Sequence, residues 1–475
     1  MDKFNIICFC LSFLPLVFGI YLLVSRFTLS CVNKKTLNYG ICVINSLLFL
    51  FCSVLSVLIF KNNMAFEYEL IDFNLNGTVY NLGFLISKDN LLFILISSFF
   101  LVLVSLYSKK YFDKKKHFYF TKQRYYCFLA IFSFLIYALL FSSNFLQMLF
   151  FGLLEGALIF IFSYFDVFKN SVNFNITRFL RIGLIGDFAL ICAILILYKY
   201  SMFLYEDSSY LSVDSINNTI YEMITNFNGF EVKLCFLLFL IAICAKLFIF
   251  PFNCYLSFLA NSSDIFYICA SNLSNFAFGG YLFFLMYPAF AEYSLNNYLI
   301  LFFILSGIIS IFLTIFEKNI KIIFGYLISG VNAFFSAGSL FFGRKIGLLI
   351  YVLAGFIITV IFMKIAYVGK INFKPVFFTK KTGFMIERAH IFVFEKMPQI
   401  IFKIFDFIDK YIVQNCILIF VKIIDKFANL FVLKIKTRSR INYIRAILLM
   451  LAFILLIAIF IALFGNGRYN VELIR

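Results

Sequence analysis

LCFLLFLIAICAKLFIFP, residues 234–251, decides how the rest of the chain is read. Twelve uninterrupted apolar residues precede Lys246, four follow it, and the run closes on Pro251. A stretch of this length can cross a bilayer, yet a lysine inside it costs about 3 kcal/mol even on the mildest insertion scales. Pro251 has no N–H for the carbonyl of Leu247, so the helix is expected to kink or unwind just past the lysine. Non-helical backbone at membrane depth is tolerated only where it is buried in protein or lines a wet cavity. A broken helix beside a buried charge is a recurrent arrangement in transporters.

The flanking chain is of the same kind. Of 475 residues 63% are hydrophobic, 72 of them Phe, and only 13% are charged, which excludes a soluble domain, where about 45–50% and about 25% are usual. Apolar runs recur near 4–25, 40–60, 90–107, 125–142, 145–165, 178–198, 234–251, 265–288, 298–315, 320–342, 346–368 and 445–464. The expected fold class is therefore an all-α polytopic membrane protein with about 12 transmembrane helices. MDKFNII is not an Arg/Ser-rich transit sequence, and the run after it lacks a cleavage site, so it reads as the first span.

The excess of 41 Lys and Arg over 23 Asp and Glu, +18, sits mainly in short connections. Lys109 to Arg124 carries seven basic residues against one Asp, whereas 199–232 carries Glu206, Asp207, Asp214, Glu222 and Glu231 against Lys199. Positive-inside topology explains this and puts the N-terminus outside; no nucleic-acid partner is needed. Twelve dispersed Cys without a CxxC pair, and only His117 and His390, supply no zinc, haem or iron–sulfur ligand set. No cofactor is expected in this chain. The absence of Trp among abundant Phe, Ile, Leu, Lys, Asn and Tyr points to an AT-biased genome of the organelle type.

From Pro398 to Leu430, polar Gln399, Lys403, Asp406, Lys410, Gln414, Lys422, Asp425 and Lys426 recur at helical spacing among apolar residues. That is an amphipathic helix about 48 Å long at ~1.5 Å per residue, lying along a surface, either at the lipid interface or as a brace across neighbouring subunits.

Four charges fall inside spans: Glu155, Asp187, Lys246 and Lys364. Asp187 has a bland reading, pairing with Arg178 or Arg181, and Lys364 can snorkel to the inner interface. Glu155, flanked by Gly152 and Gly156, and Lys246 lack such an exit. Burial disfavours the charged form of either group and a nearby opposite charge restores it, so a Glu155–Lys246 pair would act as a coupled proton switch.

These segments resemble the antiporter-like proton-pumping subunits of respiratory NADH-ubiquinone oxidoreductase (complex I). SSNFLQMLFFGLLEGALIFIFSYF (142–165) is similar to the family's fifth helix, with Glu155 on its glutamate. RIGLIGD (181–187) resembles an Asn-Arg-x-Gly-Asp motif of the sixth helix, found in the chain 5 branch, and gives Asp187 a role. AKLFIFPFNCYL (245–256) looks like the seventh, discontinuous helix, carrying Lys246 and Pro251. SNLSNFAFGGYL (271–282) falls on the eighth, with Gly279 and Tyr281 on its Ala-Gly-x-Tyr, and FEKNIKIIFGYLISG (316–330) sets Lys321 and Tyr326 on a later conserved stretch. FKIFDFIDKYIVQNCILIFVKIIDKF (402–427) resembles the lateral helix of chain 5. The sequence departs from the family at Leu154, Ser271 and Asn253, which stand where the family has Trp, His and His, and it is shorter.

The resemblance implies a chain divided into 1–124 (N-terminal helices and basic loop), 125–288 (first inverted channel repeat), 289–370 (incomplete second repeat), 371–397 (matrix linker), 398–440 (lateral helix) and 441–475 (anchoring helix). It implies proton translocation through Glu155, Asp187 and Lys246, with weaker roles for Lys321 and Lys364, and with Ser271 and Asn272 replacing the missing His in a relay. Lys364 is either the lysine of a later family helix or unrelated. Flavin, iron–sulfur clusters and quinone would reside in partner subunits of the membrane-bound complex, at the mitochondrial inner membrane, and the partners would be the other membrane-arm subunits, especially the neighbouring antiporter-like subunits along the lateral helix, and lipids. A chain 4 homologue, a stand-alone cation/proton antiporter and a scaffold that no longer pumps are the alternatives. The last conflicts with Glu155 and Lys246, which a scaffold could replace by Leu at no cost in lipid.

Overall fold

Within the described residues the apolar runs fold as helices at the places the sequence marks. The computed structural model describes residues 11–27, 34–62, 66–75, 78–115, 119–166, 170–204, 230–253, 256, 259–260, 264–292, 296–315, 317 and 319–368, all within one compact unit, Met1–Lys374. In chain order these are α1 (Leu14–Phe27), α2 (Lys34–Asn62), β1 (Phe66–Leu75), β2 (Thr78–Ile86), α3 (Lys88–Lys115), α4 (Tyr119–Leu140), α5 (Phe145–Asp166), α6 (Asn170–Leu204) and α7 (Phe230–Lys246). A composite rod follows, made of α8 (Asp264–Ile268), a π-helical stretch (Cys269–Gly280) and α9 (Tyr281–Glu292); then α10 (Asn296–Thr314), α11 (Ile320–Phe342) and α12 (Arg344–Val368). Eight of these helical segments are long and apolar enough to cross a membrane. The expected span at 445–464, the linker 371–397, the lateral helix 398–440 and the anchor 441–475 lie outside the described residues.

The all-α expectation needs one correction. Residues 66–86 form an antiparallel hairpin with a register shift between Glu69 and Ile71. Leu75 pairs with Thr78, and the two residues between them read Asn-Gly, a strong hairpin signal. The inner end of the hairpin is tied to the α4–α5 corner: Leu85 N–H donates to the Phe141 carbonyl at 2.8 Å, and the Asn90 amide donates to the carbonyls of Leu85 and Leu140. Asn144 Oδ1 in turn accepts from Gln147 N–H at 2.8 Å, capping α5. The helix that carries Glu155 thus starts from a fixed corner.

The centre of the bundle is formed by α4 and the composite rod, each with 89% of its apolar window buried, whereas α10 is peripheral at 22%. Val17, Val57, Leu301, Ile308, Leu349 and Leu353 point outward, as expected of helices whose outer faces meet lipid. Helices α6 and α7 pack together, as do α10 with α11 and α11 with α12, and the rod touches α3, α4, α7 and α11.

Candidate functional site

Three helices and the rod converge on Lys246. Their close approach depends on glycines: at Gly186 of α6 a Cβ would lie 2.5 Å from the Ala245 methyl, and at Gly279 of the rod 2.8 Å from the Lys246 carbonyl carbon. A Cβ at Gly152 of α5 would collide with the Phe278 ring. Small residues at such crossings are the usual means of bringing membrane helices together.

Lys246 Nζ forms an ion pair with Asp187 Oδ1, the two side chains being 14% and 10% exposed. The ammonium also stands 4.6 Å from the centre of the Phe278 ring, whose electron-rich face attracts a cation. The direct ion-pair partner of Lys246 is thus Asp187, with the expected Glu155 acting on it from beside the pair; the side chains of Arg178 and Arg181, the other expected partners of Asp187, lie outside the described residues. Glu155, 1% exposed, lies alongside. Ser274 of the rod lies near its carboxyl, and the charges of both Lys246 and Asp187 act on it. Glu155 Oε1 has no hydrogen-bond partner among the described residues. Fully ionised, these three groups carry one net negative charge, so a single added proton neutralises the cluster.

The expected break follows at once. α7 stops at Lys246, and Phe248 takes φ 57°, a left-handed conformation that is uncommon for an aromatic side chain and costs about 1–3 kcal/mol. Ile249 N–H reaches back to the Cys244 carbonyl at 2.9 Å. The peptide Phe250–Pro251 is cis. Asn253, just beyond, is buried, and neither its amide nitrogen nor its oxygen has a hydrogen-bond partner among the described residues.

The other candidates are placed apart. Ser271 and Asn272 lie on the π-helical stretch; the Asn272 amide donates to Ser271 Oγ at 3.1 Å, and Thr359 Oγ1 of α12 donates to Asn272 Oδ1 at 2.9 Å. With Asn275, Asn332 and Tyr351 they line a cavity offering about 20 Å³ to the centre of a water molecule, enough for about one water. Asn275 Oδ1 is buried without a partner among the described residues. A π-helix of 12 residues is far longer than the usual single-turn bulge, and such distortions are frequent at functional sites.

Lys321 pairs with Asp264 Oδ1 at 2.8 Å, the side chains 16% and 13% exposed. The Tyr267 hydroxyl donates to the Lys321 carbonyl, Asn319 Oδ1 accepts from Lys321 N–H at 3.0 Å, and Tyr107 lies within electrostatic reach of Asp264. This second buried ion pair joins the first turn of α11 to the start of α8. Lys364 is exposed in the last turns of α12, where snorkelling accounts for it. Asp264, Ser274, Phe278 and Asn332 went unmarked in the sequence; Asp264 and Asn332 were legible as polar residues within or at the end of apolar runs, whereas nothing local distinguishes Ser274 or Phe278.

No protein-family model matches the sequence, and no curated protein matches it. Among solved structures, the chain is similar in fold to one in the membrane-bound sulfane sulfur reductase, an archaeal respiratory membrane complex, with TM-score 0.60 and 16% identity, covering 74% of this chain and 55% of the other. The protein thus spans about half the length of that relative, and what the two share is the helical membrane fold.

Proposed function

We propose that this protein is a proton-translocating membrane subunit of a respiratory complex, in which Lys246, Asp187 and Glu155 together hold and pass one proton at mid-membrane. The observation that carries this reading is the buried Lys246–Asp187 ion pair, with Glu155 alongside, at the end of an interrupted helix. Charges in a span persist only for a reason, and three of them around one unpaired proton equivalent suit a carrier better than a brace. Withdrawing or neutralising one carboxylate changes what holds the ammonium's proton, and restoring it reverses the change. The orphaned Glu155 Oε1, Asn253 and Asn275 Oδ1 are what a hydrated path leaves, because buried polar atoms without protein partners usually hold water.

The finer reading is a core membrane-arm subunit of NADH-ubiquinone oxidoreductase, of the chain 5 type, at the mitochondrial inner membrane. It is supported by the motifs at 142–165, 181–187, 245–256 and 271–282 and by fold similarity to a chain of a respiratory membrane complex. Residues 125–288 would be the first channel repeat and 289–370 a shortened second. Redox groups would belong to partner subunits.

Lys246→Ala in the native complex tests the carrier. Proton movement coupled to NADH oxidation should fall by about a hundredfold or more, the usual weight of one positioned proton-transfer group, while the chain still migrates with NADH dehydrogenase activity on a native gel. Undiminished pumping refutes the mechanism; sodium-driven flux by the isolated chain in proteoliposomes refutes the complex I assignment in favour of a stand-alone antiporter.

A further inference from the structure

The interruption after Lys246 strands backbone groups inside the protein, and their partners come from two helices much later in the chain. Asn332 of α11 donates its amide to the Leu247 carbonyl. Ser329 Oγ donates to the Phe248 carbonyl at 2.6 Å, and Phe250 N–H donates to Ser306 Oγ of α10 at 2.9 Å. Ser310 Oγ lies 3.0 Å from Ser329 Oγ; because the Ser329 proton is committed to Phe248, Ser310 is the donor. Ser306, Ser310, Ser329 and Asn332 are all 1% exposed or less.

Hydroxyls within helices ordinarily bond back to their own backbone four residues earlier. Ser133, Ser142 and Ser336 do so here, to Leu129, Ala138 and Asn332. Ser306, Ser329 and Asn332 reach instead to a segment 56 to 85 residues away in sequence. Each meets a different position in the break, Leu247, Phe248 or Phe250, whose helical partners Pro251 and the irregular backbone have removed. Apolar residues in place of Ser306, Ser329 and Asn332 would leave two carbonyls and one N–H bare, which the interior of a membrane protein does not tolerate.

We propose that Ser306, Ser329 and Asn332 are positioning residues that latch the broken helix, so that α10 and α11 fix the backbone on which Lys246 sits. Asn332 also lines the cavity with Ser271, Asn272 and Asn275; release of the latch puts the Leu247 carbonyl in reach of water from that side. The latch deepens the reading of Lys246 as the proton carrier and rests on it for its functional consequence alone.

The test uses the full chain in its native membranes and compares Ser329→Thr with Ser329→Val, side chains of equal shape that differ in the hydroxyl, together with Asn332→Leu. Cys244, 3% exposed and half a turn before the break, reports opening through site-resolved alkylation by N-ethylmaleimide; Cys52 and Cys127, buried on α2 and α4, are internal references. Ser329→Thr should match the parent. Ser329→Val and Asn332→Leu should raise Cys244 alkylation on the order of tenfold, the factor expected of one lost buried hydrogen bond, leave Cys52 and Cys127 unchanged, and lower proton translocation. Equal labelling and equal translocation in the Thr and Val variants overturn the latch. Failure of Thr and Val alike to accumulate also overturns it, since size and not the hydroxyl then matters; if Val alone fails, Ser306→Val against Ser306→Thr is scored by the same criteria. Opening at Cys244 in a protein whose parent moves no protons would sustain the latch and reject the carrier.

Discussion

Two glycines close to the site should respond to alanine in opposite ways. At Gly279 an added Cβ would lie 2.8 Å from the Lys246 carbonyl carbon, 2.9 Å from its oxygen and 3.0 Å from Leu247 Cδ2. Ordinary contact begins at 3.4 Å, so the backbone at the end of α7 must retreat by 3.4 − 2.8 = 0.6 Å. The obstacle is backbone, not the tip of a flexible side chain, and overpacking of this kind costs about 1–3 kcal/mol. The displaced residue is the one that bears the ammonium, and a misplacement approaching 1 Å in a reacting group costs on the order of 10²-fold in rate. At Gly156, one residue from Glu155, a Cβ would meet nothing within 4 Å; alanine there should leave proton movement intact and stabilise α5 by up to about 1 kcal/mol through its helix preference. The assay is the initial rate of proton uptake in sealed membranes energised by NADH, normalised to the amount of assembled complex, with thermal inactivation measured in parallel. Gly279→Ala should lower the rate ten- to a hundredfold, and Gly156→Ala should not. Equal rates in the two variants, or a loss confined to Gly156→Ala, would refute the idea that the fit of the rod against the α7 terminus places the lysine.

The ion pairs support further expectations. Asp187→Asn leaves a buried ammonium without its partner, which destabilises by about 3–5 kcal/mol, whereas Asp187→Asn with Lys246→Met removes both charges and should recover most of that loss; thermal stability then rises in the double variant while pumping stays abolished, and additive losses would argue against direct pairing. The Asp264–Lys321 pair should behave as a second coupled unit, each single neutralisation lowering assembly more than the double one does. Lys364→Ala, at an exposed position, should change neither stability nor pumping; a loss as large as that of Lys246→Ala would mean that Lys364 meets a partner beyond the described residues.

What the chain discloses unaided depends on the range of the interaction. Helix positions are legible because each span satisfies its own backbone and shows itself as a local apolar run, as at 125–142 and 320–342. The break was equally legible, since Pro251 removes a hydrogen bond at a fixed distance along the chain. The hairpin at 66–86 escaped a hydropathy reading because a window long enough for a span averages over the two-residue alternation of a strand; the Asn-Gly pair between its strands was the local clue. Glu155, Asp187 and Lys246 could each be marked as costly in lipid, but which carboxylate faces the lysine is settled by helix crossings at Gly186, Gly152 and Gly279, and no spacing in a single sequence encodes those. The same limit hides the latch. Asn332 is visible as a polar residue within ISGVNAFF, yet its partner is a carbonyl 85 residues earlier, and the need for that partner exists only because Pro251 created it. A proline that frees a carbonyl and an asparagine that takes it up are thus two halves of one requirement. Changing either alone should cost more than changing both, because an asparagine facing a mended helix is as unsatisfied as a bare carbonyl facing leucine.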